Sequence, residues 1–266
     1  MSREVADRIA DGSVAAWRNR VGHLEGHLLR SDDGVVTCLS NLPDEELNVA
    51  LIERQPEDAL GALARAEWLF KAHGHAFGVE IERGRHPGVD RAVRTLGLII
   101  GISRPAMAIR VQNLARPHPP EGVEVRRITE PAELAPMVDL EVRVFGTGRA
   151  VAERLLGPTM LSVPGVRLYL ATRDGEAIGF AWTSVHRRAV GVFGVGTLPE
   201  HRRRGIGTTV TSFAVHDAPD VDLAWLQPTG MGRPLYGSMG FEAVGEWQVW
   251  VRPGPRPSAS FEREGL

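Results

Sequence analysis

The sequence predicts a mixed α/β fold made of two copies of one unit, and three observations support this. Strand-like alternation and helix-like apolar spacing follow each other along most of the chain. Three apolar strand patterns stand in succession between residues 167 and 198, the first pair joined by the turn residues Asp174 and Gly175. Three short patterns also recur in the same order at nearly one spacing.

The elements of the second half are the clearer ones. A strand at 123–128 precedes a helix at 130–146, in which apolar residues recur at helical spacing. After the three strands we expect a helix at 203–216, a strand at 222–228, a short helix around 233–240 and a strand at 246–253. A three-strand meander followed by alternating helices and strands predicts a mixed sheet with helices packed on it.

The repeated patterns extend the same fold to the first half. "DDGVV" at 32–36 matches "RDGEA" at 173–177, and "QPED" at 55–58 matches "LPEH" at 198–201. "TLGLIIG" at 95–101 matches "SMGFEAVG" at 238–245, and the three offsets are 141, 143 and 143 residues. We therefore expect a first domain at 1–114, a Pro-rich linker at 115–121, a second domain at 122–252 and a flexible tail at 253–266.

Composition narrows the class of protein. The formal net charge of −2, from 31 basic and 33 acidic side chains, provides no broad field that would attract nucleic acid or anionic lipid. A single cysteine, Cys38, excludes an intramolecular disulfide and is typical of a reducing compartment. The apolar run at 96–102 is far shorter than the roughly 20 residues that span a bilayer. We expect a cytoplasmic protein without a nucleic-acid partner, membrane partner or metal cofactor.

The stretch "TLPEHRRRGIG" at 197–207 stands where an apolar strand leads into a helix. Unpaired amides and the positive end of the helix dipole make such a start a binding site for phosphate. Gly205 and Gly207 lack the Cβ atoms that would keep a phosphate from the backbone. The alternative is a solvated basic helix start, but two glycines inside a helix would cost about 1 kcal/mol each.

This stretch resembles motif A of the GNAT superfamily of acyl-CoA-dependent N-acetyltransferases, with Arg202, Gly205 and Gly207 at the motif positions. The resemblance implies two GNAT-like units in tandem, each a mostly antiparallel central sheet flanked by helices. It implies that backbone amides hold the pyrophosphate of CoA, while the strand end pairs with the pantetheine arm and polarises the thioester carbonyl. Arg202 would hold the loop in place. The implied pyrophosphate residues are Arg203, Arg204, Gly205, Ile206, Gly207 and Thr208, and the strand-end residues are Gly196, Thr197 and Leu198.

A second stretch, "LYGSMGF" at 235–241, matches a later helix of the family. The resemblance implies that Tyr236 is the general acid for the leaving CoA thiolate, and the alternative is a tyrosine that only packs on the sheet. Many members have Asn where this chain has Thr229, which can still donate one hydrogen bond to the cofactor. The strand before motif A lacks the glutamate that often serves as base, so the base remains open between Glu141, His186 and bulk water.

The first half lacks these features. At an offset of 143 residues, Arg202 and Gly205 fall on Ala59 and Ala62, and Tyr236 falls on Val93. We expect a degenerate GNAT-like half without a pyrophosphate loop. The resemblance implies transfer of acetyl from acetyl-CoA to a primary amine of a small molecule by direct attack, in a monomer or homodimer. The alternative, favoured by the missing glutamate, is a non-catalytic acyl-CoA-binding or regulatory interaction protein.

Overall fold

The computed structural model describes residues 3–43 and 45–253, which form seven α-helices and eleven β-strands. The helices are α1 (Arg3–Gly22), α2 (Ala59–Ala72), α3 (Pro87–Thr95), α4 (Leu134–Phe145), α5 (Arg149–Leu155), α6 (Ile206–His216) and α7 (Arg233–Ser238). The strands are β1 (Leu28–Asp32), β2 (Val35–Leu39), β3 (Asn48–Ile52), β4 (Gly78–Glu82), β5 (Ile99–Arg110), β6 (Val123–Ile128), β7 (Val166–Arg173), β8 (Glu176–His186), β9 (Ala189–Thr197), β10 (Leu223–Leu226) and β11 (Glu242–Val251). Apart from Pro253, the expected tail at 253–266 lies outside the described residues.

The chain divides into two compact units. The first consists of Met1–Ala106, Gln227–Met231 and Val244–Leu266, and the second of Met107–Leu226 and Gly232–Ala243. β5 and β11 therefore each contribute residues to both units. The expected domains were continuous in sequence, with a border at 115–121, whereas the compact units take up short segments from each other's half of the chain.

In the first unit the strand order is β1-β2-β3-β4-β11. Neighbouring strands are antiparallel except for β3 and β4, which are parallel. Apolar residues of α2 and α3, among them Leu63, Phe70 and Val93, form one buried core with this sheet. Val14 and Val21 of α1 pack with strand residues in a second core.

In the second unit the strand order is β5-β10-β9-β8-β7-β6, with only β9 and β10 parallel. Val210 and Ala214 of α6 pack on residues of β7 and β8, while Tyr236 of α7 packs on residues of β5, β9 and β10. The order β-β-β-α-β-α-β thus occurs twice, as β1-β2-β3-α2-β4-α3-β5 and as β7-β8-β9-α6-β10-α7-β11. The predicted repetition of one α/β unit is confirmed.

Local sequence explains several of the element boundaries. Both matched Asp-Gly turns have positive φ at each residue, 42° and 78° at Asp33 and Gly34, as two-residue hairpins require. The predicted helix at 130–146 is instead a short 3-10 turn at Pro131–Glu133 followed by α4, and it ends at Gly146 with φ 68°. The next helix, α5, was not predicted.

The described residues contain no helix long and apolar enough to cross a membrane. Within the same ranges, no group of three or more His, Cys, Asp or Glu side chains could hold a metal ion.

Candidate active site

The parallel strands β9 and β10 separate part of the way along β9. Their pairing covers three residue pairs and ends at Trp225 and Gly191, whereas β9 continues to Thr197. The register between β8 and β9 shifts just beyond this point, between Phe193 and Gly196, and Gly194 has a φ of 55° there. In the described chain the last six residues of β9 therefore have no strand partner on their β10 side, and an extended ligand can add its own amides at this edge.

Six consecutive backbone amides lie next to this opening. Among residues 3–43 and 45–253, the N–H groups from Arg203 to Thr208 donate to no backbone carbonyl, and the first helical bond of α6 is Thr209 N–H to the Gly205 carbonyl at 2.9 Å. Arg203 and Gly205 have φ values of 62° and 80°. Because left-handed residues turn successive amides toward one side, this loop and the α6 N-terminus present a group of donors of the kind that can bind an anion. The predicted helix start at 203 is wrong by three residues for this reason.

The three arginines of the loop are exposed. Arg202 Nε donates to the Thr197 carbonyl at 3.3 Å, which ties the loop to the end of β9. In the described part of the chain no carboxylate lies within ion-pair distance of Arg202, Arg203 or Arg204; the nearby Glu200 pairs with Arg143 at 2.7 Å. The guanidinium groups are thus available to an anionic ligand.

Different physical causes favour glycine at the three glycine positions of the predicted site. A Cβ at Gly196 would lie 2.3 Å from the ring of Phe180, so core packing requires this glycine. A Cβ at Gly205 would meet only Pro120 at 3.5 Å, and its left-handed φ is what favours glycine there. At Gly207 the nearest atom to a Cβ is the Leu235 side chain at 3.1 Å, which shows how tightly α7 packs on the start of α6.

The segment 115–121, expected as a linker, lies along α6. Ser212 Oγ donates to the Ala115 carbonyl at 2.6 Å, and Thr209 Oγ1 donates to the His118 carbonyl at 3.4 Å. With Pro120 against Gly205, this segment borders the amide loop. This contact could not be predicted from the sequence, because neither hydroxyl belongs to a recognisable pattern within its helix.

Tyr236 of α7 is buried, with 7% of its surface exposed, in the core formed with β9 and β10. Its ring packs edge-on against Phe241 with centroids 5.9 Å apart. Burial raises the pKa of Tyr236 to about 12, an increase that the neighbouring Thr211 hydroxyl partly opposes. The Thr211 hydroxyl does not complete a hydrogen bond with any described residue. The Tyr236 hydroxyl therefore stays protonated at neutral pH.

The remaining predicted residues lie in different places. Glu141 is on α4 and accepts a hydrogen bond from Thr147 Oγ1 at 2.8 Å. One turn later on α4, Phe145 packs on Phe180, and the ring of Phe180 lies against Gly196 of β9. The helix α4 therefore passes close to the last residues of β9. His186 pairs with Ala189 at the other end of β9, roughly 26 Å along the strand from Thr197.

Thr229 belongs to the segment Gln227–Met231 of the first unit, and its contact with a cofactor stays a prediction.

The corresponding helix start in the first unit is already occupied by carboxylates. Asp33 accepts hydrogen bonds from the amides of Glu57 and Asp58 at 3.0 and 2.8 Å, and Asp58 accepts one from Gly61 N–H at 2.9 Å. Three amides at this helix start are thus already hydrogen-bonded to carboxylates, and the acidic groups would repel a phosphate. The sequence contained a signal for this cap, because "QPED" ends in an N-cap aspartate.

Comparison with known proteins agrees with this architecture. A GCN5-related N-acetyltransferase from Kribbella flavida superimposes with a TM-score of 0.75, covering 96% of this chain and 98% of that one at 22% identity. A tandem GNAT protein from the clavulanic acid biosynthesis pathway superimposes with a TM-score of 0.64 over 96% of each chain at 17% identity. These likenesses define the fold as that of tandem GNAT proteins.

Sequence comparison adds the family. The model of the acetyltransferase (GNAT) domain matches residues 164–243. A mycothiol acetyltransferase of Streptomyces griseus subsp. griseus is 30% identical over 227 residues, which are 75% of this chain and 70% of the relative. One of Kytococcus sedentarius is 30% identical over 220 residues, or 77% and 68%. The chain belongs to the GNAT family of acetyltransferases.

Proposed function

We propose that the second unit transfers an acetyl group from acetyl-CoA to the primary amine of a small molecule. The observation that supports this most directly is the opening beside β9, next to the six amides that donate to no backbone carbonyl of the described residues. An opening bordered by strand amides fits the pantetheine arm, and the amide loop fits a pyrophosphate. The two features occur in one unit and at one end of the same strand.

The loop residues bind acetyl-CoA through different groups. Amides from Arg203 to Thr208 bind the pyrophosphate oxygens, and the exposed guanidiniums of Arg203 and Arg204 add charge. Arg202 positions the loop through its bond to Thr197. The strand-end residues Gly196, Thr197 and Leu198 lie beside the pantetheine. The amide of Leu198 already donates to the Ile178 carbonyl at 3.0 Å, so the thioester carbonyl accepts its hydrogen bond from an amide earlier on β9.

Tyr236 stabilises the leaving thiolate by donating a hydrogen bond. Burial raises the pKa of Tyr236 to about 12, above the roughly 8.5 of an unperturbed thiol, so full transfer of its proton to the thiolate costs free energy. Donation without transfer avoids this cost and still stabilises the charge that develops as the C–S bond breaks. The CoA thiolate takes up a proton from water after it has left the acetyl group.

The amine attacks the thioester directly, since the single cysteine of the chain, Cys38, lies in the first unit. Its proton leaves through water to Glu141, because α4 passes the end of β9 where the acetyl group would lie. His186, at the opposite end of β9, is a poor candidate for the base.

The first unit serves as a degenerate GNAT domain without a pyrophosphate loop. Its capped, acidic helix start supports this assignment, as do Ala59, Ala62 and Ala64 at the places of the motif residues. The segments 1–114 and 122–252 are the two repeats of the chain. The last strand of each repeat, β5 and β11, contributes residues to both compact units.

The test mixes the protein with acetyl-CoA and a panel of small primary amines and measures free thiol over time. Because the two relatives are named mycothiol acetyltransferases, amines related to mycothiol are the first acceptors to try. Turnover that requires Tyr236 supports the proposal. CoA binding without turnover on any amine would support the non-catalytic acyl-CoA-binding alternative instead.

A further inference from the structure

The first unit contains a small cavity between its sheet and α1. It lies where β3 and β4 stop pairing, since Leu51 and Glu80 are their last pair. Its lining includes Ser13, Glu80, Glu82, His86 and Trp247, and it offers about 20 Å³ of room for the centre of a water-sized group. All these residues belong to the first unit.

Glu80 is a buried carboxylate, 7% exposed, that meets only neutral donors. Ser13 Oγ and Gln227 Nε2 donate to its Oε1 at 3.1 and 3.4 Å, and Trp17 Nε1 donates to its Oε2 at 3.2 Å. No Lys, Arg or His of the described chain lies within ion-pair distance of it. A carboxylate held this way gains from a positive group in contact with it.

The second carboxylate, Glu82, is on the same face of β4, two residues later. Arg85 contacts it at 3.1 Å but also pairs with Asp7 at 2.7 Å, so its charge is shared. The cavity lining therefore keeps a net negative charge. Burial raises the pKa of Glu82, which marks a site where the carboxylate lacks full charge compensation.

His86 adds a polar atom without a partner among the described residues. Its Nε2 is buried and has no hydrogen-bond partner among the described residues. Burial lowers the pKa of His86, so the ring is neutral at pH 7 and one nitrogen keeps its lone pair. The ring of Trp247 and Glu82 Oε1 both approach Gly245, at 2.8 and 3.2 Å from where a Cβ would lie, which places an aromatic ring beside the carboxylate.

We propose that this cavity binds a small primary ammonium group, with Glu80, Glu82 and His86 Nε2 as acceptors and Trp247 as an aromatic wall. Carboxylates, a neutral imidazole and an indole ring together favour a compact cation that has N–H donors. Room for one water-sized group suits an ammonium head, which is close to a water molecule in size, better than a bulkier quaternary one. The site is independent of the proposed acetyl transfer, because the second unit contributes none of its residues.

The experiment uses the full chain and methylammonium chloride as the probe. The melting temperature is measured by calorimetry against tetramethylammonium chloride at equal ionic strength. Selective binding to the folded state at ten times Kd raises the melting temperature of the wild type by about 2–4 °C. Glu82→Gln should lose this rise, while Glu246→Gln should keep it, because Glu246 forms a matching ion pair with Arg83 at 2.9 Å outside the cavity.

A second measurement needs no variant. The imidazole ¹⁵N resonances of His86 should shift on addition of methylammonium and not of tetramethylammonium, whereas those of the exposed His118 should not move. Equal responses to both salts, or no His86 shift at any methylammonium concentration, would overturn the proposal and leave the cavity as a site for a structural water.

Discussion

Replacing Tyr236 by Phe separates a catalytic hydroxyl from a packing ring. The ring contact with Phe241 at 5.9 Å is retained in the variant. Within the described chain the hydroxyl's neighbour Thr211 completes no hydrogen bond, so little is lost when the oxygen is removed. We expect the free energy of unfolding to change by less than about 1 kcal/mol.

The rate should change far more than the stability. Loss of a hydrogen-bond donor to the developing thiolate typically costs about 10²–10³ in kcat. Because the donor acts on charge that appears only in the transition state, KM for acetyl-CoA should stay within about threefold. The assay is release of free CoA thiol at saturating amine, with calorimetry on the same preparations. Since burial raises the pKa of Tyr236 to about 12, the wild-type rate should show no loss from tyrosine ionisation between pH 7 and pH 9.

A Tyr236→Phe rate within threefold of wild type, in a protein of unchanged stability, would refute the role of the hydroxyl and leave Tyr236 as a packing residue. A parallel fall in rate and stability would show that the ring had moved, and Thr211→Val would then test the same neighbourhood from α6.

Three further predictions concern other parts of the molecule. Gly205→Glu places a carboxylate in the amide loop at φ 80°, and should weaken CoA binding at least a hundredfold by calorimetric titration. Ala64→Glu, at an exposed position of α2, should leave CoA binding intact, and equal losses in both would contradict the assignment of the loop. Cys38 is fully buried with its pKa raised to about 12 by burial, so a disulfide reagent at pH 8 should label it only after unfolding. The hydrogen bond from Arg252 is the main reason that the pKa of Glu67 lies below its ordinary value of 4.5. The ionised Glu67 therefore stabilises the fold above pH 4.5, and this stabilisation is lost as the pH falls through the pKa of Glu67 in the folded protein. Glu67→Gln should therefore be less stable than wild type in urea at pH 7, with a smaller difference at pH 3; an equal deficit at both would exclude the ion pair as its cause.

Features that depend on near neighbours in sequence could be predicted from the sequence itself. The two Asp-Gly hairpins follow from turn chemistry, and the glycine loop follows from the change between strand and helix periodicity around Gly205. The contrast between the two halves is also local, because it rests on which residues begin α2 and α6. These local signals were sufficient to predict the tandem fold and the resemblance to the family.

Contacts between distant segments could not be predicted in this way. Nothing in the alternation of β5 or β11 says which strand it joins, because periodicity reports a buried face and not a partner. The position of 115–121 along α6 depends on Thr209 and Ser212, whose hydroxyls gain meaning only when a carbonyl lies opposite. The expected linker came from composition and the two continuous domains from the repeated patterns, and neither of these records such contacts.

The sequence by itself determined the repeated α/β order and the residues of the amide loop, since both arise from interactions within about ten residues. Only the tertiary structure decided that β9 and β10 separate beside that loop, that Tyr236 is buried with a raised pKa, and that Asp33 caps the matching helix in the first unit. Each of these depends on desolvation or hydrogen bonds between segments far apart in the chain, and such effects exist only after the strands have paired.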